Sequence, residues 1–211
     1  VTYAQIAYMM MYLKVHYPTY FYASIMSNVI GSEEKMAAFI SELKAKKIEF
    51  IPPSINRSHW FVRAVDDAVI LSLGMIKGVG YKTVMEIIEE RKKGLYTDIY
   101  DVVTRLPGRT MSRPVLEALI MTGAFDEFNV NRATLLASLD DLLNVSTDKQ
   151  EGDHFLEDLG LSLKKKYHHH EEMPSDQKAA VEFQYLGFFL SEHPVEQLFN
   201  EHLYLPLFQI Q

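Results

Sequence analysis

The sequence predicts a mainly α-helical chain with one small β-hairpin element. Three observations carry the prediction. Apolar residues recur at three- and four-residue spacing through most of the 211 residues, β-like runs are short and lie at positions 48–73 and at the very end, and glycines, prolines and capping residues separate the periodic segments.

The elements follow in order. AQIAYMMMYLK (4–14) is apolar almost all round, which predicts a helix buried on most sides and stopped by Tyr17-Pro18. A second helix is expected from Tyr20 to Val29, ending before Gly31. Ser32 then caps EEKMAAFISELKAKK, where Met36, Phe39, Ile40 and Leu43 form one stripe, with acids at the start and lysines at the end. Ile48 to Ile51 reads as a short strand halted by Pro52-Pro53, and WFVRAV followed by DDAVILSL reads as a hairpin turning at Asp66-Asp67. A helix from Lys82 to Lys92 presents Val84, Ile87 and Ile88 on one side and ends at Gly94. Short helices are expected over 98–105, from Ser112 to Gly123, and through NRATLLASLDDLLN (131–144). From Asn144 to Asp176 periodicity fades and charges cluster, which reads as a mobile linker. QKAAVEFQYLGFFLS is helical again up to Ser191, with a break at His193-Pro194, and the final LYLPLFQIQ reads as a strand.

Composition narrows the chemistry. An apolar content of 48% suits a folded protein, and no apolar run approaches the ~20 residues that span a bilayer. The start lacks the basic region of a signal peptide, so a cytoplasmic protein without membrane contact is expected. Zero cysteines exclude disulfides, thiolate metal sites and cysteine nucleophiles. The net charge of −7 argues against a chain that is basic all over, yet Gly74 to Arg113 carries eight Lys/Arg against five acids.

Within that basic stretch, GMIKGVGYKT (74–83) places three glycines beside two lysines. A Walker A loop is excluded, because Tyr81 separates Gly80 from Lys82-Thr83. A dinucleotide fingerprint is excluded too, because Thr83 stands where its third glycine belongs. What fits is a short helix, a tight GVG hairpin and a second helix, whose amides point outward with the positive end of the helix dipole. This is the helix-hairpin-helix arrangement, which holds backbone phosphate without reading bases. Lys77, Gly78, Val79, Gly80 and Lys82 are its candidate DNA-binding residues. The bland alternative is an ordinary turn flanked by solvated lysines.

Several segments together resemble the C family of replicative DNA polymerases, the alpha subunits of bacterial DNA polymerase III. They are AYMMMYLKVHYPTYFYASIMSN (7–28), IPPSINRS (51–58), LGMIKGVGYKTVMEIIEER (73–91), RPVLEALIMTGAFDEFNVNRATLLASLDD (113–141) and EFQYLGFFLSEHP (182–194). The resemblance implies four parts: distal fingers over 1–66, a tandem helix-hairpin-helix domain over 67–145, a mobile linker with a clamp-binding peptide over 146–176, and over 177–211 a helix leading into a downstream OB-type β domain. Lys14, His16 and Tyr17 fall in the fingers segment without an assigned contact. A second hairpin is expected in GAFDEFNVNR, where Asn129 replaces a glycine, Asp126 and Glu127 repel phosphate, and Arg132 is the expected contact. In the linker, Asp153, Phe155 and Leu156 come nearest to a clamp-binding peptide, with EQLFNEHL (196–203) as a rival.

The implied partners are primer-template duplex, the sliding clamp (the beta subunit) and other replisome subunits. The magnesium-binding aspartates of this family belong to the palm, which no stretch here resembles, so no catalytic residue, metal site or cofactor is expected in the segment itself. His168, His169 and His170 cannot all face one ion and read as a solvated polar run. Two alternatives stay open: a helix-hairpin-helix DNA glycosylase, with Asp101 placed 21 residues after Gly80, and a helical protein-interaction module.

Overall fold

A computed structural model describes residues 2–148 and 165–190. Helices dominate it, as the periodicity predicts, and they surround a three-stranded sheet. α1 (Thr2–His16), α2 (Pro18–Ser27) and α3 (Glu33–Ala45) come first. Pro18 starts α2 at the position where its missing N–H costs nothing, two residues ahead of the expected start. In α3 the predicted stripe is buried at Met36, Ile40 and Leu43. α1 departs from expectation: none of its residues is buried, and Tyr3, Tyr8, Met9, Met11 and Val15 are largely exposed. A helix that is apolar all round needs neighbours on every side, and the described residues give it α2 and the Lys14–Glu42 ion pair on one side.

β1 (Phe50–Ile51), β2 (Arg63–Val65) and β3 (Ala68–Ile70) form a sheet of order β1-β3-β2. β2 and β3 are the predicted antiparallel hairpin, Val65 opposite Ala68, with Asp66 at φ 51 in its turn. β1 pairs parallel to β3, Phe50 opposite Val69, so β3 is central and all three of its residues are buried.

A short 3-10 turn (Leu73–Met75) leads through the glycine stretch into α4 (Tyr81–Arg91), then α5 (Ile99–Arg105) and α6 (Arg113–Met121). Asp98 caps α5 by accepting from the Asp101 amide. The single helix expected over 131–144 is two, α7 (Arg132–Ala137) and α8 (Leu139–Asp148), parted at Ser138, whose hydroxyl bonds back to the Thr134 carbonyl. α9 (Ser175–Leu186) stops at Gly187, φ +81, and not at Ser191. One core runs from Tyr22 and Leu43 under β3 to Ile87, Leu116 and Phe125.

The expectation of a mobile linker over 146–176 needs correcting for its last part. Residues 165–174 run extended across α5, α7 and α8, with alternate backbone amides captured by hydroxyls. The amides of Lys166, His168 and His170 donate to Tyr100 Oη (3.0 Å), Ser138 Oγ (2.8 Å) and Thr134 Oγ1 (3.0 Å). His168 also meets Asp141 at 2.7 Å, so this histidine is held in place. The tail 191–211 and the clamp-binding candidates Asp153, Phe155 and Leu156 lie outside the described residues.

Candidate nucleic-acid interface

The three glycines of residues 74–80 stand there for three different reasons. A β-carbon on Gly74 would lie 2.6 Å from the Trp60 carbonyl oxygen and 2.9 Å from its ring, so glycine is needed for Trp60 to pack. Gly78 has φ +87, the left-handed region, and turns the chain. Gly80 has neither reason. Its φ of −80 and ψ of 162 suit any residue, and none of the described residues comes within 4 Å of where its β-carbon would be.

Gly80 caps α4 without a side-chain hydrogen bond, which leaves the amides of the first turn open toward the exposed side of the hairpin. Val79 between the glycines is buried, and its amide donates to the Ile76 carbonyl (3.1 Å). A hydrophobic anchor thus points inward while Gly78 and Gly80 face solvent. Tyr81 opens α4 exposed, its ring edge-on to Trp60 at 5.1 Å. The arrangement offers N–H donors, the positive end of a helix dipole and backbone unobstructed by side chains, which is what an approaching phosphate needs.

The flanking lysines differ. Lys82 is exposed and makes no ion pair among the described residues. Lys77 pairs with Glu33 at 2.8 Å, both side chains about half exposed at 47% and 50%, so the contact is weak and open to exchange. Glu33, in the first turn of α3, escaped the sequence reading because it is 44 residues from Lys77. It also sits over Gly187, where a β-carbon would be 2.4 Å from its carboxylate, and the Lys77 amide donates to the Tyr185 carbonyl at 2.9 Å. The end of α9 is thereby fastened to the hairpin.

The second hairpin is built differently, and Arg132 is not presented for a phosphate. Its guanidinium is buried and spends its donors inside the protein: Nε on Asp126 (3.1 Å), Nη2 on Asp126 (2.7 Å), and Nη1 on the Met121 carbonyl (2.9 Å) and Glu182 (3.2 Å). Burial disfavours its charge, but Asp126 and Glu182 outweigh that and raise its pKa. Asn129 does take the left-handed conformation, φ 57, at the position where a glycine was expected. Asp101, the glycosylase candidate, accepts from the Thr97 amide and pairs with Arg105 at 3.3 Å. Lys14 pairs with Glu42, and His16 lies against Tyr12 with ring centres 4.3 Å apart. Among the described residues no group of three or more His, Asp or Glu side chains stands together as a metal site, and no helix is long and apolar enough to cross a membrane.

Comparison with known proteins agrees with this geometry. A family profile described as a helix-hairpin-helix motif matches residues 47–135. Over all 211 residues the chain is 49% identical to the DNA polymerase III subunit alpha of Staphylococcus epidermidis and 46% identical to that of Staphylococcus aureus. It spans 20% of the length of each of these curated relatives.

Proposed function

The chain is a homologue, from end to end, of a segment of the DNA polymerase III alpha subunit, and on that premise we propose that it holds duplex DNA by the backbone for a replicative polymerase. The observation that supports this most directly is Gly80, a glycine that no contact with the described residues and no dihedral requires, at the open N-terminus of α4 beside an exposed Lys82. Contacts of this kind position a duplex and carry no sequence information, which suits a replicase.

In this reading residues 1–66 are distal fingers, 67–145 the tandem hairpin domain, and 177–211 the lead into a further β domain. The linker's Asp153, Phe155 and Leu156 tether the polymerase to the sliding clamp by lowering two apolar side chains into its pocket. Of the two hairpins, the first grips DNA and the second supports the fold. In this reading nucleotidyl transfer belongs to the palm of the whole subunit, which no stretch of these 211 residues resembles, and the chain alone does not extend primers.

Fluorescence anisotropy with labelled duplex DNA of two unrelated sequences, titrated across salt, tests the grip. Each lost phosphate contact lowers the logarithmic salt slope by about 0.9, so Lys82→Ala reduces it by that amount equally on both sequences. A slope unchanged by Lys82→Ala overturns the hairpin assignment. For the tether, Phe155→Ala/Leu156→Ala abolishes retention of the chain on immobilised sliding clamp. Undiminished retention removes that peptide from the reading.

A further inference from the structure

The basic stretch from Gly74 to Arg113 is largely neutralised from within. Lys77, Lys92, Lys93, Arg105 and Arg113 each pair with a carboxylate. Arg91 is buried and donates to the Ile55 carbonyl at 2.8 Å. Two cations remain, Lys82 and Arg109, both exposed and in no ion pair among the described residues.

Arg109 stands on a rigid turn between α5 and α6. The amides of Thr110 and Met111 both donate to the Pro107 carbonyl, at 2.8 and 3.1 Å. Leu106, Thr110 and Met111 are buried, so the turn is anchored on both sides and Arg109 is its charged outer corner. The Thr110 hydroxyl bonds to the Glu86 carboxylate, which fastens the turn to α4. Glu86 follows Lys82 by four residues and so lies on the same face of the helix.

We infer that Arg109 is a second DNA-phosphate ligand, which adds a second point to the contact made at the first hairpin. It takes the part that the family resemblance implied for Arg132. The inference rests on the hairpin reading proposed above, since Lys82 supplies the first point. The guanidinium fork suits a phosphodiester, but a point charge at the same place would keep the counterion-releasing contact.

The test compares Arg109→Ala, Arg109→Lys, Lys82→Ala and the Lys82→Ala/Arg109→Ala double variant of the 211-residue chain, all checked for unchanged thermal unfolding, by anisotropy with duplex DNA against salt. Arg109→Ala lowers the slope by about 0.9, so between 50 and 200 mM salt it loses about 3.5-fold less affinity than the parent chain. Arg109→Lys keeps the parent slope, and the double variant falls by about 1.8. A parent-like slope for Arg109→Ala, together with a reduced slope for Lys82→Ala, overturns this inference and leaves the hairpin reading standing. Parent-like slopes for both single variants overturn the hairpin reading itself.

Discussion

Arg132 occupies the space that a side chain on Gly123 would need: a β-carbon there would lie 2.3 Å from the guanidinium Nη2 and 2.6 Å from Asp126. Gly123 also has φ +79, so glycine is required twice over. Gly123→Ala must strain the backbone and displace the ion pair, and it should destabilise the protein by about 2–4 kcal/mol, read as a lower midpoint in urea unfolding. A midpoint within error of the parent would show that the pair relaxes freely.

The same ion pair decides what Arg132 does. Arg132 bridges Asp126 of the second hairpin to Glu182 of α9, a residue that is itself buried and accepts from the Leu190 amide at 3.2 Å. Removing one partner of a buried pair leaves an uncompensated charge, so Arg132→Ala should cost about 3–5 kcal/mol. Its DNA-binding salt slope, measured on the folded protein at low temperature, should stay at the parent value. A reduced slope with unchanged stability would restore Arg132 to the phosphate-binding role.

Gly78 and Gly80 should separate stability from binding. Gly78→Ala forces an L-residue to φ +87 and should cost about 1–2 kcal/mol of stability. Gly80→Ala gains from a less flexible unfolded chain and loses from poorer capping of α4, which leaves stability within about 0.5 kcal/mol of the parent. Its duplex affinity should nonetheless fall, because the new methyl stands where the phosphate approaches. Parent-like affinity for a stable Gly80→Ala would mean that nothing approaches there.

His59 gives the fold a pH dependence with a defined sign. Burial, with the charges of Arg63 and Arg91 adding to it, lowers its pKa from 6.5 to about 4, and Arg63 Nη1 lies 2.7 Å from its Nε2, which must accept and so is unprotonated. Between those two values the unfolded chain binds a proton that the native protein does not. Stability is therefore fully present above pH 6.5 and declines as pH falls toward 4, by at most about 1.4 kcal/mol per pH unit for one proton. In denaturant titrations across this window, His59→Gln should flatten the slope. An equally steep profile in the variant would place the titrating group elsewhere.

Local signals were legible in the sequence and long-range ones were not. The α3 stripe, the Asp66-Asp67 turn, the short helix from position 98 and the glycine hairpin are each set within a few neighbours, and the structure has them. The parallel pairing of β1 with β3 joins residues 19 apart, with a loop between them that no periodicity predicts. Arg132 looked available because its partner Glu182 is 50 residues away. The strap over 165–174 looked like linker because its order comes from hydroxyls on other helices and not from its own apolar pattern. α1 shows the converse, since an all-round apolar pattern states a need for neighbours without naming them.

Gly74 supplies a reporter for the site as well as a packing requirement. Trp60 is the only tryptophan in the chain, and it connects Gly74 on one side with Tyr81, the first residue of α4, on the other. With φ outside the left-handed region, Gly74→Ala carries no backbone strain, so its whole effect comes from the clash with the Trp60 carbonyl and ring. Backbone atoms at 2.6 Å cannot yield as a side-chain tip can, and the cost should be about 1–3 kcal/mol. The indole should move off Tyr81 into more water, so intrinsic fluorescence should shift to longer wavelength in the native variant. DNA bound at the hairpin should perturb the same emission in the parent chain and do so less in Gly74→Ala. Identical native spectra for parent and variant would show that Trp60 does not depend on Gly74, and the indole would then be no gauge of the hairpin.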